Sequence, residues 1–337
     1  MRAVLARVEI VEHRVLGRTG RPVSVVGLGA WQLGADWGSV SEADALATLE
    51  AAVESGMTFI DTADVYGDGR SERIIGQFLR SHPELELFVA TKMGRRVPQD
   101  PAVYTLDNFR AWTDRSRANL GVDTLDLVQL HCPPSAVYAS DAVFDALDTL
   151  VEEKRIRAYG VSVETCEQAR AAIARPGVAT IQIILNMFRQ KPVTEVLPAA
   201  AEAGVGIIAR VPLASGLLSG RYDRTTQFAP DDHRTYNRHG EAFDVGETFS
   251  GVDYERGLEA VERLAPLVPE GATMAQFALR WIIDHPAVSV VIPGARNPEQ
   301  ARSNAAAAQL PPLSPHTVDG VRKVYDELIR PLVHHRW

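Results

Sequence analysis

Short apolar runs alternate with amphipathic stretches along most of this chain. Eight runs read as strands: Ser24–Trp31, Thr58–Asp61, Leu87–Lys92, Leu125–His131, Ile156–Val163, Ile181–Asn186, Gly206–Val211 and Ser289–Gly294. In the gaps, apolar positions recur at spacings of three and four, which marks a helix with one buried stripe. Leu46, Leu49 and Val53 form such a stripe, and Gly56 stops it. Ser71 precedes Ile74, Ile75, Phe78 and Leu79 and reads as an N-cap. Val143, Leu147, Leu150 and Val151 make a further stripe, and the alanine-rich Glu195–Ala203 stops at Gly204.

Eight strands, each followed by a helix, predict an α/β chain folded as a (β/α)8 barrel. A doubly wound sheet is the alternative and calls for Gly-x-Gly-x-x-Gly after the first strand. The sequence there is Gly27-Leu28-Gly29-Ala30-Trp31, which lacks that fingerprint. Ahead of the barrel, His13–Leu16 and Pro22–Val26 flank Gly17–Arg21 and predict a β-hairpin. After the seventh strand comes a long polar loop, Ala214–Ser250, and Tyr325–Leu332 reads as a closing helical segment that ends at Pro331. The expected organisation is one domain over residues 1–337: a hairpin at about 13–26, a barrel at about 24–310 and a helical segment at about 314–332.

Composition narrows the functional classes. The 337 residues are 46% hydrophobic and 23% charged, with a net charge of −8, so nucleic acid is not an expected partner. No apolar run approaches the ~20 residues of a membrane span. Arg7 and Glu9 interrupt the first segment, which lacks the apolar core of a signal peptide, so a cytoplasmic location is expected. Cys132 and Cys166 are too few for a disulfide framework and are expected as free thiols. No His-Glu-x-x-His or Cys-x-x-Cys cluster is present, and no metal is expected.

Three apolar runs end on a titratable group: Asp61, Lys92 and His131 close the second, third and fourth strands, and Tyr66 lies just beyond the second. In a barrel, strand ends converge on one mouth. This set suits proton delivery to a carbonyl oxygen. A tyrosine hydroxyl donates the proton, and a neighbouring cation, Lys92, eases its loss. Asp61 aims and neutralises Lys92, while His131 orients the carbonyl oxygen.

A second segment carries its own chemistry. The last strand ends at Gly294, Asn297 reads as an N-cap, and Pro298 fits the first helical position. The start of a helix offers free N–H groups to an anion, and Arg296 beside it can clamp a phosphate. The stretch Pro212-Leu213-Ala214-Ser215-Gly216-Leu217-Leu218-Ser219-Gly220-Arg221 has small residues that allow close backbone approach to a ligand.

The motifs Asp61-Thr-Ala-Asp-x-Tyr-Gly-x-Gly-x-Ser-Glu72, Ala90-Thr-Lys92 and Gln129-Leu-His131 resemble the aldo-keto reductase superfamily over about residues 14–310. The resemblance implies a (β/α)8 barrel with a hairpin across its bottom, and reduction of aldehydes and ketones by NADPH, NADH being less favoured. It implies Tyr66 as general acid, with Asp61, Lys92 and His131 completing the set. It implies that Arg296, Gln300, Gly294 and Asn304 hold the adenosine 2′-phosphate end of NADPH or NADP. Ser162 and Gln182 would meet the nicotinamide carboxamide, and the segment Pro212, Leu213, Gly216, Leu218, Gly220 and Arg221 would fold over the cofactor. The chain departs from the family at Val163, where Asn is usual, at Arg210, where an aromatic residue is usual, and at Leu185. A guanidinium at Arg210 can stack on the nicotinamide, or loosen its oxidised, positive form. Trp31, Trp37 and Met93 are candidates for the substrate pocket, with core packing open as the alternative for the two tryptophans. The partner is then a small carbonyl compound. A cofactor-binding regulatory subunit with little turnover, and a Schiff-base lyase using Lys92, are the alternative functions.

Overall fold

In the computed structural model, residues 11–34 and 40–337 are described; Trp37 lies outside them. Among the described residues ten strands form: β1 (His13–Val15), β2 (Pro22–Ser24), β3 (Leu28–Gly29), β4 (Phe59–Asp61), β5 (Phe88–Met93), β6 (Leu125–His131), β7 (Ile156–Ser162), β8 (Val178–Ile184), β9 (Gly206–Arg210) and β10 (Val288–Val291). Strands β3 to β10 pair in sequence order, all parallel. Bridges Val26–Val291 and Gly29–Gly294 join the first of these strands to the last. The sheet thus closes into a (β/α)8 barrel.

The expected first strand divides. Pro22–Ser24 pairs with β1 as the hairpin, only Leu28–Gly29 joins the barrel, and Trp31 opens a helical turn, Trp31–Gly34. The Ala30 N–H donates to the Asp61 carbonyl at 2.8 Å, after which the chain turns away from the sheet. The expected sixth strand starts earlier, at Val178, because Val178-Ala179-Thr180 is as apolar and branched as Ile181-Gln182-Ile183.

The hairpin seals the bottom. Leu16 and Val23 pack into the barrel interior with Phe59, Phe88, Leu127, Ile208 and Val290. Arg18 donates to the carbonyls of Ala203, Pro176 and Val178, tying the hairpin to the loops that enter the strands. The larger apolar core lies between the sheet and the surrounding helices; most bury one stripe, whereas Met274–Ile283 is buried all round from Phe277 onward.

Side-chain caps open several helices, but the expected helix Glu195–Ala203 divides into Lys191–Glu195 and Leu197–Ala203. Ser41 caps Glu42–Glu54, and Asn297 caps Pro298–Ala306 with Pro298 in the first turn. Ser71 is not a cap: the helix Arg70–Ser81 is preceded by Gly69, and Ser71 is buried inside its first turn. Its hydroxyl donates to the Ala30 carbonyl at 3.0 Å and accepts from Thr62 at 2.8 Å. A tertiary clip has taken the side chain from the local backbone. The closing segment also runs past Pro331: the π-helical stretch Tyr325–Ile329 leads directly into Arg330–Val333, which carries Pro331 in its first turn.

Candidate active site

Because the strands are parallel, their C-terminal ends share one rim. Neighbour pairing sets Lys92 beside Gln129, His131 beside Ser162, and Ser162 beside Gln182. Alternate residues of a strand face opposite sides. Lys92 therefore points into the barrel, while Met93 turns outward into the core and does not border the cleft. That corrects the expectation for Met93.

Lys92 is fully buried. Its ammonium donates to Asp61 Oδ1, to the Thr62 carbonyl at 2.8 Å and to the Tyr66 hydroxyl at 3.2 Å. Asp61 Oδ2 accepts from Gln182 at 2.7 Å and Gln129 at 3.2 Å. Burial opposes the charge on Lys92, but Asp61 and Tyr66 outweigh it and raise its pKa. Burial also raises the pKa of Tyr66, against the pull of Lys92. The phenol therefore stays protonated beside a fixed cation. His131 faces Tyr66 edge-on, ring centroids 6.1 Å apart. Burial, then the charges of Arg95, Lys92 and Arg210, hold His131 well below the usual imidazole range, so it is neutral. Its Nδ1 is buried without a partner.

These groups open onto a cleft of about 1320 Å³. Asp61, Tyr66, His131, Gln182, Arg210 and Trp31 line its inner end. Pro212, Leu213, Gly216 and Arg221 form one wall, and Gly294, Arg296, Gln300 and Asn304 line the far end. Gly294 is needed for close approach: a Cβ there would lie 2.1 Å from the Gln32 amide. Asn304 donates to the Gly294 carbonyl at 3.1 Å, fixing the turn, and Gln300 accepts from the Arg296 N–H at 2.9 Å.

Three expected contacts sit elsewhere. Ser162 is buried behind Cys132, whose thiol lies 3.6 Å from its hydroxyl. Leu218 is buried in the core, and Gly220 ends the turn Ala214–Ser219 against Met274. None of the three borders the cleft.

Sequence reasoning missed an ionic cluster beside His131. Arg95 donates to Glu247 at 2.9 Å and to Glu164 at 3.1 Å, and Arg210 lies 3.6 Å from Glu247. Burial works against the Glu247 charge, yet Arg95 and Arg210 bring its pKa down to about 2. Arg210 also donates to the Val163 carbonyl at 3.0 Å. Its charge is thus matched within the protein. Arg95 and Glu247 are separated by 152 positions, and no local signal pairs them.

Residues 25–326 match the profile of the Aldo/keto reductase family. The chain belongs to the aldo/keto reductase family. It is an NAD(P)H-dependent oxidoreductase, and the buried Lys92–Asp61 pair lies within the matched residues. The aldo-keto reductase YhdN of Bacillus subtilis is 29% identical over 296 residues, 86% of each chain. A probable voltage-gated potassium channel subunit beta of Arabidopsis thaliana is 28% identical over 332 residues, covering 93% of this chain and 96% of the relative. Among solved structures, the glycerol dehydrogenase AKR11B4 from Gluconobacter oxydans is 29% identical with a TM-score of 0.77, over 96% of this chain and 97% of that one.

Proposed function

We propose that this aldo/keto reductase reduces the carbonyl group of an aldehyde or ketone, with Tyr66 as proton donor. One observation carries the reading: the Tyr66 hydroxyl lies 3.2 Å from an ammonium that is buried and paired with Asp61. As an alkoxide develops on the substrate, the phenol gives up its proton, and Lys92 stabilises the phenolate left behind. Asp61, held by Gln182 and Gln129, keeps Lys92 charged and aimed. The neutral His131 orients the carbonyl oxygen beside Tyr66. Lys92 held in this way is a poor amine nucleophile, which disfavours imine chemistry.

The cleft fits NADPH. It is continuous from Tyr66 to Arg296; Arg221 stands on its wall, and its far end combines Arg296 with the start of helix Pro298–Ala306. Such an end suits phosphate groups. Arg296, Gln300 and Asn304 would hold the adenosine end, and Pro212, Leu213 and Gly216 would lie along the middle. When bound, NADPH supplies the hydride.

The kinship with channel β subunits supports a second reading, a cofactor-binding subunit with little turnover. A panel of carbonyl compounds, followed at the cofactor's absorbance, decides between them. Steady turnover of at least one compound supports the reductase. Tight NADPH binding without turnover of any overturns it.

A further inference from the structure

The side of the cleft away from the Arg296 end is neither plainly apolar nor plainly charged. Arg95, from the loop after β5, and Glu164, from the loop after β7, line it with Arg210 and Glu247. Two guanidinium and two carboxyl groups stand there, so at full ionisation their charges cancel. Arg95 and Glu164 keep 19% and 25% of their side-chain surface open, whereas Arg210 and Glu247 are more deeply placed, at 10% and 7%. Only one nitrogen of Arg95 is engaged with the two carboxylates. This edge therefore presents N–H donors and carboxyl acceptors side by side. In the same cleft, Trp31 stacks on Tyr66 with ring centroids 6.0 Å apart and meets Phe243 at 6.1 Å. The cluster also lies near the reacting end: of the charges acting on His131, Arg95 acts most strongly, second only to burial.

Different substrates would fare differently here. An apolar aldehyde would cover charged groups and return no hydrogen bonds. A carboxylate-bearing aldehyde would meet Glu164 and Glu247, and would have to compete with them for Arg95. A hydroxyl both donates and accepts, and so matches an arginine and a carboxylate at once. Its carbon-bound hydrogens would lie against the aromatic wall.

We propose that the substrate is a short carbonyl compound with hydroxyl groups next to the carbonyl, and that Arg95 and Glu164 determine this specificity. The proposal rests on the carbonyl-reductase reading above and names the substrate class for it.

The test uses the full chain with NADPH and three aldehydes of similar size: glyceraldehyde, propionaldehyde and succinic semialdehyde. The expected kcat/KM for glyceraldehyde exceeds that for propionaldehyde by about tenfold or more, because without the hydroxyls the remaining N–H donors and carboxyl acceptors of the cluster are covered and gain no hydrogen bond. Arg95→Met and Glu164→Gln should each bring this ratio toward one. A wild-type ratio of one or less, equal losses for both aldehydes in the variants, or a preference for succinic semialdehyde overturns the proposal. Ligand-detected NMR of glycerol and propan-1-ol on the NADP-loaded protein separates the two readings. Selective glycerol binding that is lost in Arg95→Met, without turnover of any aldehyde, keeps the hydroxyl subsite and removes the reductase. Equal binding of the two alcohols with no turnover removes both.

Discussion

Gln182 donates its amide to Asp61 Oδ2 at 2.7 Å, on the same carboxylate whose other oxygen takes the Lys92 ammonium. The resemblance assigns Gln182 to the nicotinamide; in the structure its N–H holds Asp61, and through Asp61 the Lys92 that the proposed function sets beside the proton donor. Gln182→Glu tests this with a sign. At low pH the new carboxyl is protonated and can donate to Asp61 as the amide does. At higher pH it ionises beside Asp61, and the two charges compete for Lys92. The expected kcat is near wild type at the acid end and falls by about tenfold or more as pH rises. A kcat profile parallel to wild type would remove Gln182 from this role.

The strand ends were legible because each polar break in an apolar run lands on the rim, as Asp61, Lys92 and His131 do. The Asn297-Pro298 start was legible because a cap is local. Ser71 was misread for the opposite reason: its hydroxyl is claimed by Ala30 and Thr62 from other elements. The cluster of Arg95, Glu164, Arg210 and Glu247 was invisible because its members come from three separate loops and the end of β9. Glu247 reaches Arg95 only because the loop after β9 folds over the cleft. No periodicity encodes that fold.

Asp64, inside the first motif, is buried with Oδ1 unpartnered. Burial, then Glu72, push its pKa to about 7 against Arg96 and Arg115. A raised carboxyl pKa means the folded state binds the proton more tightly than the unfolded chain. Its penalty therefore grows as pH rises from the ordinary value of 3.8 to about 7, and is full above that. Asp64→Asn should stabilise the protein by on the order of 2 kcal/mol at about pH 8 and by less at about pH 5. Urea midpoints at the two pH values measure this. A variant less stable than wild type at the higher pH would contradict it.

Trp337 is buried against the loop that carries Glu247. Its indole N–H donates to Asp244 at 3.0 Å, and Arg189 lies 3.7 Å above its ring. Gly251, at φ +74°, makes room for it: a Cβ there would sit 2.3 Å from the indole. Trp337→Ala should cost about 3 kcal/mol or more. Gly251→Ala should cost much less in the Trp337→Ala background than in wild type, leaving only the backbone strain. Thermal unfolding of the four proteins in this cycle gives the coupling, and strict additivity would show that the ring does not bear on Gly251.

Arg296 lies beside the helix start, at the cleft end that suits phosphate. Arg296→Ala should weaken NADPH by about tenfold or more and NADH far less, since only NADPH carries the additional phosphate. Fluorescence titration with both cofactors measures the two constants. Equal weakening would remove the preference for NADP.

The central claim is that Tyr66 delivers the proton. Tyr66→Phe keeps the ring that stacks on Trp31 and removes only the hydroxyl 3.2 Å from Lys92. Measured on the NADPH-loaded protein with a carbonyl compound that the wild type turns over, kcat should fall by about a hundredfold or more while NADPH binding is kept. A variant that binds NADPH and retains near wild-type kcat would contradict the account.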